Sequence, residues 1–227
     1  MNYFSLPDSY PHIFGGHNAP IRILLDKFKV ATWQDEHRTK LQEDGYPIDW
    51  AEIGVVLNDP YVIALRDLVE FSGGYCNGYL RLFNRAYLEG GAAGVVMLPE
   101  KDGKLLLMHH FRHATRSWHW EIPRGFGEPG VAAPDQARNE VKEETGGEIS
   151  EIVDLGIYYS NTGLEGNPIN LFLVRMESVG KPSQEMGIDQ LHWVSVKELE
   201  NMIASGEITD GFTIATYTRA KLKGFLS

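Results

Sequence analysis

Between Ala137 and Gly146 the chain reads Ala-Arg-Asn-Glu-Val-Lys-Glu-Glu-Thr-Gly, which sets Glu140, Glu143 and Glu144 at positions i, i+3 and i+4. On a helix this spacing gathers the three carboxylates on one face. Like charges so placed repel by roughly 0.2–0.5 kcal/mol per pair. They also stand in the last turns before Gly146, where the helix dipole is negative and a misplaced acid costs about 0.3–1 kcal/mol. Arg138 and Lys142 offset only part of this, because they point away from the centre of the acidic face. A solvated acidic surface is the bland alternative; a bound divalent cation would invert the sign of the whole arrangement. Carboxylate oxygens suit a hard ion such as Mg²⁺ or Mn²⁺, and no cluster of His and Cys offers a zinc alternative. Just upstream, Gly125-Phe-Gly-Glu-Pro-Gly130 lets the backbone come close to the mouth of this helix, where the carbonyl of Arg124 can add a further hard oxygen.

Positioning these groups requires a helix on a sheet. Pro134 to Thr145 is expected to be that helix, opened by a proline tolerated in the first turn and stopped by Gly146 and Gly147, with Ala137, Val141 and Thr145 as its packing stripe. Strands are expected at Tyr79–Leu88, Ala92–Leu98, Leu105–His110 and Trp118–Ile122, the second and third joined by an Asp102-Gly103 turn. Further strands follow at Ile152–Tyr159, Asn170–Arg175 and Gln190–Val194. Ser195 and Glu198 form a capping-box pattern opening a short helix through Ile203, and a last helix runs from about Phe212 to Lys223. Toward the N-terminus, helices are expected over Ile21–Leu41 and over Pro60–Phe71, where Val62, Leu65, Leu68 and Val69 recur at helical spacing. The expectation is an α+β domain over residues 79–227 behind a mainly helical extension over residues 1–78.

From Gly125 to Gly147 the chain resembles the signature of the Nudix hydrolase family: Gly, five residues, Glu, seven residues, then Arg-Glu-apolar-any-Glu-Glu-any-Gly-apolar. Gly125, Glu140, Val141, Glu143, Glu144 and Gly146 are in register; Val131, Asn139 and Gly147 depart from it, replacing the first Glu, the Arg and the last apolar residue. The stretch His110-Phe-Arg112-His, followed by Trp118-His-Trp120-Glu121-Ile-Pro-Arg-Gly125, is similar to the segment before the signature in ADP-ribose pyrophosphatases and their relatives.

The resemblance implies a layered α/β/α fold, a mixed sheet flanked by helices, and cleavage of the diphosphate of ADP-ribose or a nucleoside diphosphate sugar into two phosphomonoesters. Glu140 and Glu144 would hold the metal, with Glu143 assisting in binding and catalysis; Asn139 puts the orientation of a box glutamate in question unless Arg138 or another residue substitutes for the missing arginine. Arg112 would bind phosphate, Gly125 would border the substrate, and Glu121 would add a metal or substrate contact. Trp118 and Trp120 share a strand face and either pack in the core or stack a base. A loop glutamate after the box often serves the subgroup as base, and Glu165, flanked by Gly163 and Gly166, lies at the corresponding place on a segment expected to be mobile. Hydrolysis of a nucleoside triphosphate or dinucleotide is the alternative chemistry, and a weakly catalytic ligand-binding or regulatory module the alternative class.

Bulk properties narrow the partners. A formal charge of -10 argues against a nucleic-acid polymer while leaving a small anionic nucleotide, bound through a metal, compatible. Apolar runs such as Leu105–Met108 fall far short of the roughly 20 residues that span a bilayer. A single cysteine, Cys76, and the absence of a basic start with an apolar core favour the reducing cytoplasm. The extension could carry the contacts of a homodimer or cover a sheet edge.

Overall fold

The computed structural model describes residues 1–16 and 18–226, and the chain divides into two units, Met1–Leu88 with Asn161–Gly166, and Glu89–Ser160 with Asn167–Ser227. In the first unit β1 (Ile21–Ile23) is followed by α1 (Lys27–Glu43), then β2 (Gly54–Asn58), β3 (Val62–Phe71) and β4 (Cys76–Asn84). β3 is the centre of this antiparallel sheet, with β4 along one side and β1 and β2 sharing the other. The expected helix over Pro60–Phe71 is therefore a strand. Ile63, Ala64 and Leu65 are buried in succession, as are Leu68 and Val69. A strand buried on both faces loses its period-two alternation, and its apolar spacing can then mimic a helix.

The helix expected from Ile21 starts only at Lys27, because the Asp26 carboxylate accepts the Lys29 N–H at 2.9 Å and caps it, while Ile21–Ile23 pair with Phe71–Val69. The N-terminal unit is thus a sheet with one long helix rather than a helical extension, and β4 runs through the expected boundary at residue 78. Its core gathers Tyr3, Leu6, Ile13, Phe14, Ile63, Leu65, Phe83 and Leu88. Within it the buried Asp67 accepts the Tyr3 hydroxyl at 2.6 Å and is paired with Arg81.

The second unit is the α+β domain that the strand and helix pattern calls for. Its strands are β5 (Gly94–Lys101), β6 (Lys104–Arg112), β7 (Ser117–Glu121), β8 (Arg124–Phe126), β9 (Glu148–Tyr158), β10 (Ile169–Ser178) and β11 (Ile188–Ser195); its helices are α2 (Ala133–Thr145), α3 (Val196–Ser205) and α4 (Gly211–Leu222). The sheet runs in the order β11-β6-β5-β10-β9, with β7 on β6 and β8 on β5, and is mixed: β5 and β10 are parallel, the other pairs antiparallel. Asp102 and Gly103 both take positive φ at the β5–β6 turn, as a two-residue hairpin requires. Ala137 and Val141 of α2 pack on Val95, Met97, Phe172 and Val174 from one face of the sheet. Alternation turns Val96, Leu98, Leu171 and Leu173 to the other face, and α4 lies against β5, β9 and β10. The capping box is present with both of its hydrogen bonds, between Ser195 and Glu198. Among the described residues no helix is long and apolar enough to cross a membrane.

Candidate active site

Helix α2 ends at Gly146, whose φ of 63° is left-handed and whose N–H donates to the Lys142 carbonyl at 2.9 Å. Gly147, the departure at the last position of the signature, has a steric reason: a Cβ there would lie 2.7 Å from both Met176 Cε and the Ser178 carbonyl oxygen. The chain after the helix is thereby pressed onto the end of β10, which fixes the axial position of the acids.

Of the three glutamates, Glu140 and Glu144 are buried and Glu143 is exposed. The two buried ones face β8. Glu144 Oε2 accepts the Arg124 backbone N–H at 3.0 Å, and Glu140 lies directly over Gly125, where a Cβ would come within 2.0 Å of the carboxylate carbon. Any side chain at position 125 would displace the Glu140 carboxylate. Glu140 Oε1 also accepts from the amide of Gln136 at 2.8 Å, and the same amide donates to the Phe126 carbonyl at 3.1 Å. Burial, opposed by the Gln136 hydrogen bond but reinforced by Glu143 and Glu128, raises the Glu140 pKa. Burial together with the Glu140 charge pushes Glu144 up to about 8.

These two carboxylates fit a hard divalent cation. Both are buried, burial resists the ionisation of each and the Glu140 charge adds to it at Glu144, and they flank a backbone stretch opened by a missing Cβ. Among the described residues no three His, Cys, Asp or Glu side chains are close enough to hold an ion together. Mg²⁺, however, uses one or two carboxylates and completes its shell with water and substrate phosphate. Glu140, Glu144 and the Arg124 carbonyl are the oxygens that would hold it, with Glu143 outside at the solvent edge.

Glu121 does not stand as a free metal ligand. It is 1% exposed and paired with Arg112; His110 Nδ1 lies 3.1 Å from its Oε1, and Arg124 lies 3.6 Å from its Oε2. Burial opposes its ionisation, yet His110, Arg112 and the Arg124 charge outweigh burial and hold its pKa below the ordinary carboxylate value. Its work is to anchor two arginines. Arg112 and Arg124 line both a cavity of about 120 Å³ beside Gly125 and Phe126 and a larger one of about 430 Å³ bordered by His113, Thr115, His119, Thr209 and Asp210. Arg124 also lies 5.1 Å over the Phe212 ring and 3.7 Å from Asp210.

Trp118 is not brought to this site. On β7 it alternates with His119 and Glu121, and it stacks on His109 at 4.7 Å on the opposite face, 45% exposed. Trp120 shares that face and also contacts His109. Glu165 lies in the N-terminal unit. It bridges Leu82 in parallel, with Leu82 N–H donating to the Leu164 carbonyl at 2.9 Å and Gly166 N–H to the Leu82 carbonyl at 3.1 Å. The Tyr79 hydroxyl donates to the Gly163 carbonyl at 2.9 Å, so this loop is tied to β4 rather than loose. Arg138 does not replace the missing box arginine, because it donates to the Ile149 carbonyl at 2.8 Å; Asn139 is exposed. Sequence reasoning missed Gln136, although its i,i+4 relation to Glu140 was open to view, and it missed the Thr209–Asp210 wall, which only the fold brings to Arg124.

A fold of this kind, with a carboxylate-bearing helix seated over a glycine turn, matches a known family: the NUDIX domain model aligns with residues 89–212. The chain belongs to the Nudix domain family. It is 26% identical over 136 residues to the ADP-ribose pyrophosphatase of Bacillus subtilis, covering 59% of this chain and 73% of that protein. It is 23% identical over 130 residues to a CMP-5'-(N-acetyl-N-hydroxy-3-aminopropyl)phosphonate hydrolase of Streptomyces rubellomurinus, covering 56% of this chain and 63% of that protein, just under two thirds of its length. A crystal structure of an ADP compounds hydrolase superposes with a TM-score of 0.59 at 17% identity, covering 76% of this chain and 94% of that one, which is a likeness of fold.

Proposed function

We propose that the chain hydrolyses the diphosphate bond of a nucleoside diphosphate derivative, ADP-ribose or a nucleoside diphosphate sugar, in a reaction dependent on Mg²⁺ or Mn²⁺. The observation that carries this reading is the buried pair Glu140 and Glu144, set against the Arg124–Gly125 backbone. Similarity to an ADP-ribose pyrophosphatase and to a hydrolase of a CMP phosphonate supports the substrate class.

When bound, the cation would neutralise charge on the phosphate oxygens and lower the pKa of an attacking water. The chain's own residues do the rest. Arg112 and Arg124, held by Glu121, present positive charge to the two cavities they line and orient an anionic diphosphate there. Glu143, exposed one turn from Glu140, assists the acidic site from the solvent side. Glu165 is the proposed general base, accepting the proton of the attacking water.

The test is a panel of ADP-ribose, nucleoside diphosphate sugars, nucleoside triphosphates and dinucleotides, incubated with Mg²⁺ in H₂¹⁸O and read by ³¹P NMR and mass spectrometry. Two phosphomonoesters from ADP-ribose or a nucleotide sugar, one carrying ¹⁸O, are expected. Pyrophosphate release from triphosphates alone would replace the substrate class, and no metal-stimulated cleavage of any member would overturn the reading.

A further inference from the structure

We propose that Gln136 is a positioning residue for the metal site, holding the Glu140 carboxylate in place in a chain whose box arginine is Asn139; this rests on the metal-dependent reading above. Gln136 is 2% exposed and lies one helical turn before Glu140, so both side chains project from the same side of α2. Its Nε2 donates to Glu140 Oε1 at 2.8 Å and to the Phe126 carbonyl at 3.1 Å. One amide thus ties the acid to the β8 turn over which that acid must sit.

The amide's orientation follows from its partners. Reversing it would set Oε1 against two acceptors, a carboxylate and a carbonyl, so the network admits only the arrangement with Nε2 inward. Oε1 is then buried with no hydrogen-bond partner among the described residues. A buried polar atom left unpaired costs about 1–3 kcal/mol, and an apolar side chain would fill the same space without that cost. Packing alone therefore does not account for a glutamine here. The nearby polar residues of the helix are engaged or turned elsewhere: Arg138 on the Ile149 carbonyl, and Asn139 on the exposed side.

A structural role and a positioning role predict different outcomes for Gln136→Met, which keeps length and burial but removes the donor. Positioning predicts a Tm lowered by no more than a few degrees, the scale of the lost amide hydrogen bonds, Mn²⁺ binding weakened about 10–100-fold, the range for losing a group that orients a metal ligand, and a half-activating Mg²⁺ concentration raised in parallel while kcat at saturating metal recovers toward wild type. Mn²⁺ affinity is read directly, by the EPR signal of the free ion, without substrate. Arg138→Ala and Asn139→Ala are expected to bind Mn²⁺ as wild type does. Should Gln136→Met not fold, Gln136→Ala, which suits a helix, carries the same expectation for affinity. Wild-type affinity in a folded Gln136 variant, or an equal loss in Arg138→Ala or Asn139→Ala, overturns the proposal and leaves the metal site standing. Failure of the wild-type protein itself to bind Mn²⁺ overturns the metal reading, and the proposal with it.

Discussion

Replacing Gly125 with alanine should separate folding from catalysis. The new Cβ would stand 2.0 Å from Glu140 Cδ and Oε1 and 2.2 Å from Oε2. Reaching ordinary contact at 3.4 Å requires the carboxylate to retreat by about 1.4 Å. The obstructed atoms are the end of a flexible side chain, and the φ of Gly125 is not in the left-handed region, so the backbone can stay where it is. What is lost is the Gln136–Glu140 hydrogen bond, a charge-assisted one worth about 1.5–3 kcal/mol, part of which the retreating carboxylate recovers from water. A fall in Tm of a few degrees is the corresponding scale for a chain of this size. The functional loss is far larger, because metal ligands tolerate about 0.2 Å and a misplacement near 1 Å costs on the order of 10²-fold in rate. The assay is kcat/KM at several Mg²⁺ concentrations, beside a thermal melt. Because the damage passes through Glu140, adding Gly125→Ala to Glu140→Ala should cost no further stability. A Gly125→Ala enzyme within a few fold of wild type, at wild-type metal affinity, would refute the placement of Glu140 as a ligand.

Glu144→Gln should abolish metal-stimulated turnover while stabilising the metal-free protein at alkaline pH. The folded carboxyl keeps its proton up to about 8, whereas the unfolded chain releases it near the ordinary value. The metal-free wild type therefore loses stability as pH rises between the two, on the order of a few kcal/mol, and glutamine does not. Melts in EDTA should show the gap widening from pH 5 to pH 8, and Mg²⁺ at pH 8 closing it for wild type alone; a gap independent of pH would count against the burial of Glu144. Arg112→Ala should destabilise the fold by about 1.5–3 kcal/mol, the scale of a hydrogen bond to a charged group, because it strips one cation from the 1%-exposed Glu121 while His110 and Arg124 remain beside it; denaturant titration measures this, and a loss below about 0.5 kcal/mol would mean that Glu121 is neutral or hydrated. Glu165→Gln should lower kcat about 10²–10⁴-fold with Mn²⁺ affinity and Tm retained, and near-normal turnover removes it from the mechanism. Trp118→Ala should leave KM unchanged, since Trp118 stacks on His109 on the face opposite Glu121; a raised KM would return it to the substrate.

What was legible in the sequence divides along physical lines. Helix α2 and its surrounding strands were visible because Ala137 and Val141 face a sheet on one side only, and because Gly146 and the Asp102–Gly103 turn carry backbone requirements that few residues meet. In the N-terminal unit the sequence pattern points to helices because β3 is buried on both faces, which erases the alternation that marks a strand, and because apolar spacing over Ile21–Leu41 does not register the Asp26 cap inside it. Pairing across the chain was not legible at all. The approach of Glu140 to Gly125, the arginines converging on Glu121 and the Leu82–Glu165 bridge are contacts between segments whose spacing in the sequence says nothing of distance.

Spacing did put three glutamates on one helical face, but it did not make them equivalent. At about 100° per residue, Glu144 is turned some 40° from Glu140 toward the side where Ala137 and Val141 enter the core, while Glu143 is turned about 60° the other way. The sheet therefore buries Glu144, the β8 turn covers Glu140, and Glu143 is left in water. The cost inferred for three repelling acids at the end of a helix is for this reason unevenly shared. Glu143 is relieved by solvent, whereas the buried pair has Gln136 and the Arg124 amide as hydrogen-bond donors and, among the described residues, no cationic side chain bonded to it. A cation that lowers this energy must act on Glu140 and Glu144 first, so Glu143→Gln should weaken metal binding much less than Glu144→Gln. Equal losses of Mn²⁺ affinity in the two variants would mean that helix α2 turns its acids differently when loaded.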